Sequence, residues 1–224
     1  MSLLEGRISA CQRCGRLANY CATFRELKDG TPSDYWARAV PGFGDPMAEL
    51  LVIGLAPGAQ GANRTGRPFT GDAAGEVLYR ALNRHGFSNL AAVEGKNDGL
   101  QLRNTYITNA VKCVPPGNKA LGEEKIYCLD WLADELEQLS HIKLVLAMGR
   151  EAFQSYLRLQ KSAGRIRSLN QYAFEHNRSY SFEGDPRVLL ATYHFSRYNM
   201  NTGVLTPIMV ESLFQEVVRI IEKG

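Results

Sequence analysis

Four of the five cysteines in this 224-residue chain are spaced to act together. Cys11 and Cys14 form a C-x2-C pair, and Cys113 and Cys128 follow with fourteen residues between them. Four thiolates hold either a [4Fe–4S] cluster or a tetrahedral zinc, and the spacing leaves both open. Cys113 and Cys128 are too far apart to be the second close pair of a zinc ribbon. A redox C-x2-C sits beside a βαβ unit, whereas this one precedes the first strand-like run. The alternative is that Cys113 and Cys128 are buried apolar thiols. Cys21 stands apart in an apolar setting and reads as a core thiol.

A second group of residues follows strand-like runs. From Gly54 the chain reads GLAPGAQGANRTGRPFTGDAAG. Glycines allow a ligand close to the backbone, and their amides can cradle a phosphate or a base edge. The stretch has neither the G-K-[ST] of a Walker loop nor a G-x-G-x-x-G directly after the strand. Some twenty residues without regular structure inside a compact domain point to function. Phe69 within it can offer a stacking face to a base, or can pin the loop to the core. Asp72 closes it as either a helix N-cap or a carboxylate near a pocket. Asn109 ends a strand with an amide suited to the Watson–Crick edge of a pyrimidine, or to capping a turn. His194 ends another, where it can donate to a developing anion or serve structurally. Arg197 and Tyr198 just beyond can meet phosphate, probe a base stack, or form a solvated loop.

The elements that must position these residues are legible as alternation. Residues 50–55 (LLVIGL), 105–109 (TYITN), 143–148 and 188–193 are short, almost continuously apolar and rich in Val, Ile and Leu. Strands buried on both faces read this way. Helical patterns cover 72–85, 122–140, 150–159 and 206–223, the last with Pro207 in its first turn. Residues 162–185 read as a loop or weak hairpin. Alternation predicts one α/β domain over 1–224, a parallel sheet covered on both faces, with ligands at the strands' carboxyl ends. The 45% hydrophobic content supports a packed core, and 22% charged residues argue against disorder. A net charge of +3 attracts phosphate only if it is gathered on one face. No apolar run approaches the ~20 residues of a membrane span, and MSLLEGRISA is not a secretory leader, so a reducing cytoplasm is expected.

Taken together, these pieces resemble the uracil-DNA glycosylase superfamily, and closely its bacterial and archaeal iron–sulfur branch, family five. GLAPGAQGANRTGRPFTGD resembles the first motif, YITNAVKC the middle segment and HFSRYN the second motif, in the right order and with four cysteines interleaved. The resemblance implies a three-layer α/β/α sandwich around a four-stranded parallel sheet. It implies a [4Fe–4S] cluster on Cys11, Cys14, Cys113 and Cys128, as a structural staple. It implies that Phe69 stacks on a flipped base, Asn109 reads its edge and His194 faces its O2. Gly54, Ala56, Pro57, Gly58 and Gln60 would complete the base site; Gln60 stands where His is common in the family. The family resembles this chain in lacking a polar water-activating residue in the first motif. Asp72 is then the candidate carboxylate for catalysis. Arg64, Arg67, Ser196, Arg197, Tyr198 and Asn199 are the candidate DNA contacts. The implied activity is hydrolysis of the N-glycosidic bond of uracil, with hypoxanthine and other deaminated bases in scope, by a monomer acting on duplex or single-stranded DNA. The competing reading is a non-catalytic nucleic-acid-binding module with a four-cysteine zinc or cluster site; an electron-transfer protein is a third.

Overall fold

A computed structural model describes residues 1–27 and 29–223. Four buried strands form its centre: β2 (Leu50–Gly54), β3 (Thr105–Asn109), β4 (Leu144–Met148) and β6 (Asp185–Thr192). They pair parallel in the order β3-β2-β4-β6, with Gly54 opposite Asn109 and Met148 opposite Thr192. Residues able to bind a ligand are therefore delivered to one edge of the sheet.

The sheet is wider than the four strands expected. Two antiparallel strands flank it, β1 (Phe43–Gly44) on β3 and β5 (Arg178–Phe182) on β6. Two residues leave no periodicity, which hides β1. β5 alternates toward solvent as RSYSF and joins β6 through a tight turn at Gly184, φ 75°. The weak hairpin anticipated in 162–185 is this one, and β6 begins three residues earlier than its apolar run.

Side-chain alternation divides the core. Leu50, Val52, Ile107, Leu146 and Leu190 point to one face, against α4 (Ala73–Arg84) and α8 (Pro207–Lys223). Leu51, Ile53, Val145, Leu189 and Ala191 point to the other, against α5 (Gly122–Gln138) and α6 (Arg150–Ser162). Helices on both faces of a mostly parallel sheet make the three-layer α/β/α sandwich.

A third, smaller core lies beside the sandwich. α1 (Ser2–Ser9) and α2 (Gly15–Ala22) bury Leu4, Ile8, Leu17 and Cys21 against Val111, Cys113, Val114, Cys128 and Trp131. Beneath it, Lys112 Nζ donates to Glu135 Oε2 and to Thr108 Oγ1, both at 2.6 Å, and Gly42 N donates to Glu135 Oε1. This fully buried pair clamps the carboxyl end of β3 to α5; breaking such a pair costs about 3–5 kcal/mol because a lone charge stays buried. No helix among the described residues is long and apolar enough to cross a membrane.

Candidate active site

At the carboxyl ends of the central strands lies a pocket of about 460 Å³. Its wall combines three chain segments: Leu55, Ala56, Pro57, Gly58, Ala62, Phe69 and Asp72–Ala74 from the loop after β2, Asn109, Pro115 and Asn118 from beyond β3, and His194, Ser196 and Arg197 after β6. That volume lies within the range of small-molecule sites.

The first segment is held under strain. Phe69 is buried with φ 54°, a left-handed conformation that is uncommon outside glycine and typical of functional positions. Tyr79 OH donates to Pro68 O at 2.9 Å, and a Cβ on Gly75 would lie 1.7 Å from Phe69 O, so only glycine lets α4 start against this turn. Within the loop, expected to lack regular structure, α3 (Ala62–Thr65) forms a single turn.

Gly54 supports the pocket from behind rather than lining it. A Cβ there would meet Asn109 Oδ1 at 2.4 Å and Phe69 Cζ at 2.5 Å, so its absence lets the amide and the ring come together. Asn109 itself is buried and opens onto the pocket.

Asp72 is both a helix cap and part of the pocket wall. It is the N-cap of α4, accepting from Gly75 N at 2.8 Å through Oδ1. Its Oδ2 lies beside Gly58 and Gly61 of the first motif. Burial raises its pKa above the ordinary carboxylate value, against the opposing hydrogen bonds of Gly75 and Ala74 and the nearby His194. Burial also pulls the His194 pKa below its usual value, with Asp72 working in the other direction. At neutral pH His194 is thus an uncharged imidazole able to donate one N–H. Asn199 Nδ2 donates to His194 O at 2.8 Å, and Ser196 Oγ caps α7 (Arg197–Asn201).

Two further expectations need correction. Arg67 is buried at 3% exposure; its guanidinium binds Asp98 through two nitrogens and Thr70 Oγ1 through Nε. It braces the first loop and has no free face for phosphate. Gln60 does not line the pocket, because its Oε1 accepts from Tyr35 OH. Arg64 donates to Gln60 O at 3.0 Å and borders an open groove beside Gly71, while Tyr198 is 73% exposed at the rim.

Asn118, with φ 58°, is a pocket residue that sequence reasoning overlooked. The Pro115-Pro116-Gly117-Asn118 run was its available signal. It lies six residues beyond β3, at the edge where ligands are expected, and Asn tolerates the left-handed region.

Away from this pocket, Cys11, Cys14, Cys113 and Cys128 line one small cavity with Lys112, Tyr127 and Trp131. Trp131 Nε1 donates to Cys11 Sγ at 3.4 Å. No three Cys, His, Asp or Glu side chains among the described residues close on a single point suited to one metal ion. Cys21 is buried against Cys113, nearer to the set than its apolar surroundings suggested.

Residues 41–218 match the Uracil DNA glycosylase superfamily. Type-5 uracil-DNA glycosylases of Thermus thermophilus and Pyrobaculum aerophilum are each 42% identical over 95% of this chain, which covers 94% and 88% of their lengths. That of Mycobacterium leprae is 39% identical over 95% of this chain and 92% of its own. A type-4 uracil-DNA glycosylase of Pyrobaculum aerophilum aligns over only 51% of this chain, at 34% identity. A match of this extent, on a sandwich whose strands end at one strained, amide-lined pocket, means that the chain belongs to the uracil DNA glycosylase superfamily, in its type-5 group.

Proposed function

We propose that this chain removes uracil from DNA by hydrolysing its N-glycosidic bond, leaving an abasic site. The observation that carries the reading is convergence. Phe69, Asn109, Asp72 and His194 come from three separate segments and face one pocket at the carboxyl edge of the sheet. A base cannot reach such a pocket while stacked, so the nucleotide must be extruded. Phe69 then stacks on the ring, and the Asn109 amide pairs with its polar edge.

When the C1′–N1 bond breaks, its electron pair stays with the base and spreads onto O2, while the sugar becomes an oxocarbenium-like cation. Neutral His194 donates its N–H to O2, and ionised Asp72 favours the cation. A water adds its oxygen to C1′; its proton leaves through Asp72 or solvent, and the uracil anion is protonated on release. Asn118 stands on the same wall and is available to orient that water. The pocket is roomy enough for bicyclic bases, which keeps hypoxanthine in scope. The first-motif amides contribute less than their number suggests, since Gly61 N is already bonded to Gly58 O.

The four cavity cysteines are assigned to a [4Fe–4S] cluster. Four cysteines lining one cavity are the ligand set that such a cluster would take. Cys11, Cys14, Cys113 and Cys128 would hold it where it ties α1 and α2 to α5, and it would supply no catalytic group; the setting proposed is a reducing cytoplasm and the enzyme a monomer. Incubation with a duplex carrying one uracil, followed by alkaline cleavage at abasic sites, tests the activity. A strand break at the uracil supports the proposal, and an intact strand favours the non-catalytic binding module.

A further inference from the structure

Trp36 carries two cations. The Arg38 guanidinium lies 3.8 Å from the centroid of its ring, and the Lys96 ammonium 3.7 Å. Both cations are thus held on one indole, no more than about 7.5 Å from each other. Cation–π attraction holds each of them. Both side chains are exposed, and among the described residues neither is in an ion pair. Partial burial and then the Arg38 charge lower the Lys96 pKa, with Glu5 opposing weakly.

The ring itself is fixed. Its Nε1 donates to Ala39 O at 2.9 Å, and it packs so closely on Gly66 that a Cβ there would lie 2.6 Å away. Trp36 N and Ala37 N donate to Arg64 O and Asn63 O of α3. Ala37, between Trp36 and Arg38, is fully buried with φ 49°. A strained, non-glycine residue at this point is maintained against a cost. The platform is thus locked to the same short helix whose Ala62 lines the base pocket, and Lys96 shares an open groove with Arg64 and Gly71, next to Asp72. Glu76 and Glu94 also line that groove, while Asp98 is occupied by Arg67.

We infer that Arg38 and Lys96, held together on Trp36, form a phosphodiester-binding platform that engages two neighbouring backbone phosphates of DNA beside the extruded nucleotide. This rests on the reading of the chain as a DNA enzyme. Two cations held this close can each meet one of two successive phosphates on a strand. A rigid indole holding both replaces the side-chain ordering that flexible surface cations would otherwise undergo on binding.

The test uses uracil-free duplex, so that binding is read without base release. Affinity is measured from 50 to 200 mM salt for the wild type, Arg38→Gln/Lys96→Gln and Lys96→Gln. Each phosphate contact contributes about 0.9 to the slope of log affinity on log salt. The double variant should lose about 1.8 of slope, so its disadvantage shrinks about 12-fold across that range. Lys96→Gln should lose about 0.9. Single-turnover base release at saturating enzyme should stay at the wild-type rate for both. An unchanged slope in the folded double variant overturns the inference, as does a lower melting temperature with the wild-type slope, which makes the cation pair structural. Should the wild type release no uracil while the slope still falls, the platform stands and the glycosylase reading fails.

Discussion

Replacing Asp72 by Asn separates the two tasks of this carboxylate. Oδ1 caps α4 through Gly75 N, and Oδ2 lies on the first-motif side of the pocket. Asn keeps an oxygen for the cap and is as good an N-cap as Asp. What it removes is the charge. A carboxylate about 4–6 Å from a sugar cation, at an effective dielectric of about 20, is worth about 3–4 kcal/mol. At 1.36 kcal/mol per decade, single-turnover base release should fall about 100- to 1000-fold. Stability should move the other way. Burial raises the folded-state pKa of Asp72 above its unfolded value, so the contribution of this group is fully present below the ordinary value of 3.8 and is lost as pH rises through the raised one. At pH 7 Asp72→Asn should therefore melt at or above the wild type, and the advantage should vanish in acid. Asp72→Ala loses the cap too, about 1 kcal/mol, or about 2–4 °C for a domain of this size. The wild-type rate should fall as pH drops through a pKa above the usual carboxylate range, and that limb should disappear in Asp72→Asn. Release near the wild-type rate in Asp72→Asn would refute the catalytic assignment and leave a cap.

The other predictions address separate parts of the site. His194→Ala should slow single-turnover release about 10²–10³-fold with little change in duplex affinity, as for the loss of one preorganised donor; gel-shift and quenched-flow measurements together check this. Gly54→Ala should keep the fold by circular dichroism yet cut release strongly, because its methyl group displaces both the Asn109 amide and the Phe69 ring. Replacing Arg197 and Tyr198 together by Ala should impair uracil opposite adenine more than uracil opposite guanine, since extrusion costs a few kcal/mol in a paired duplex and less at a mismatch; equal losses would remove their wedge role. Cys128→Ser should lose iron by colorimetric assay, whereas Cys21→Ser should retain it, and iron held by Cys128→Ser would overturn the ligand set.

The central strands and the four long helices were legible because their apolar runs have strand length and period, and each is bounded by Gly, Pro or Asn. β1 was not, and β5 only as part of a loop or weak hairpin, because an edge strand of two residues or with a solvated face carries no such run. The pocket residues at strand ends, Asn109 and His194, followed from the rule for parallel sheets. Arg67 misled because an arginine in a glycine-rich loop looks free until Asp98, 31 residues on, folds back on it. Asn118 went unnoticed because its role depends on where a proline-rich turn is aimed, which periodicity does not encode. Trp36 gave no signal either: its partners lie 2 and 60 residues away, and only the tertiary fold brings Lys96 to its face.

The most direct measurement is single-turnover release of labelled uracil from a duplex with one U·G pair, with the wild type and the combined His194→Ala/Asp72→Asn variant assayed side by side. The account predicts free uracil and one abasic site per duplex from the wild type, and a loss of more than about 10³-fold in the variant at unchanged duplex affinity. Duplex binding by both proteins with no free base from either would contradict it.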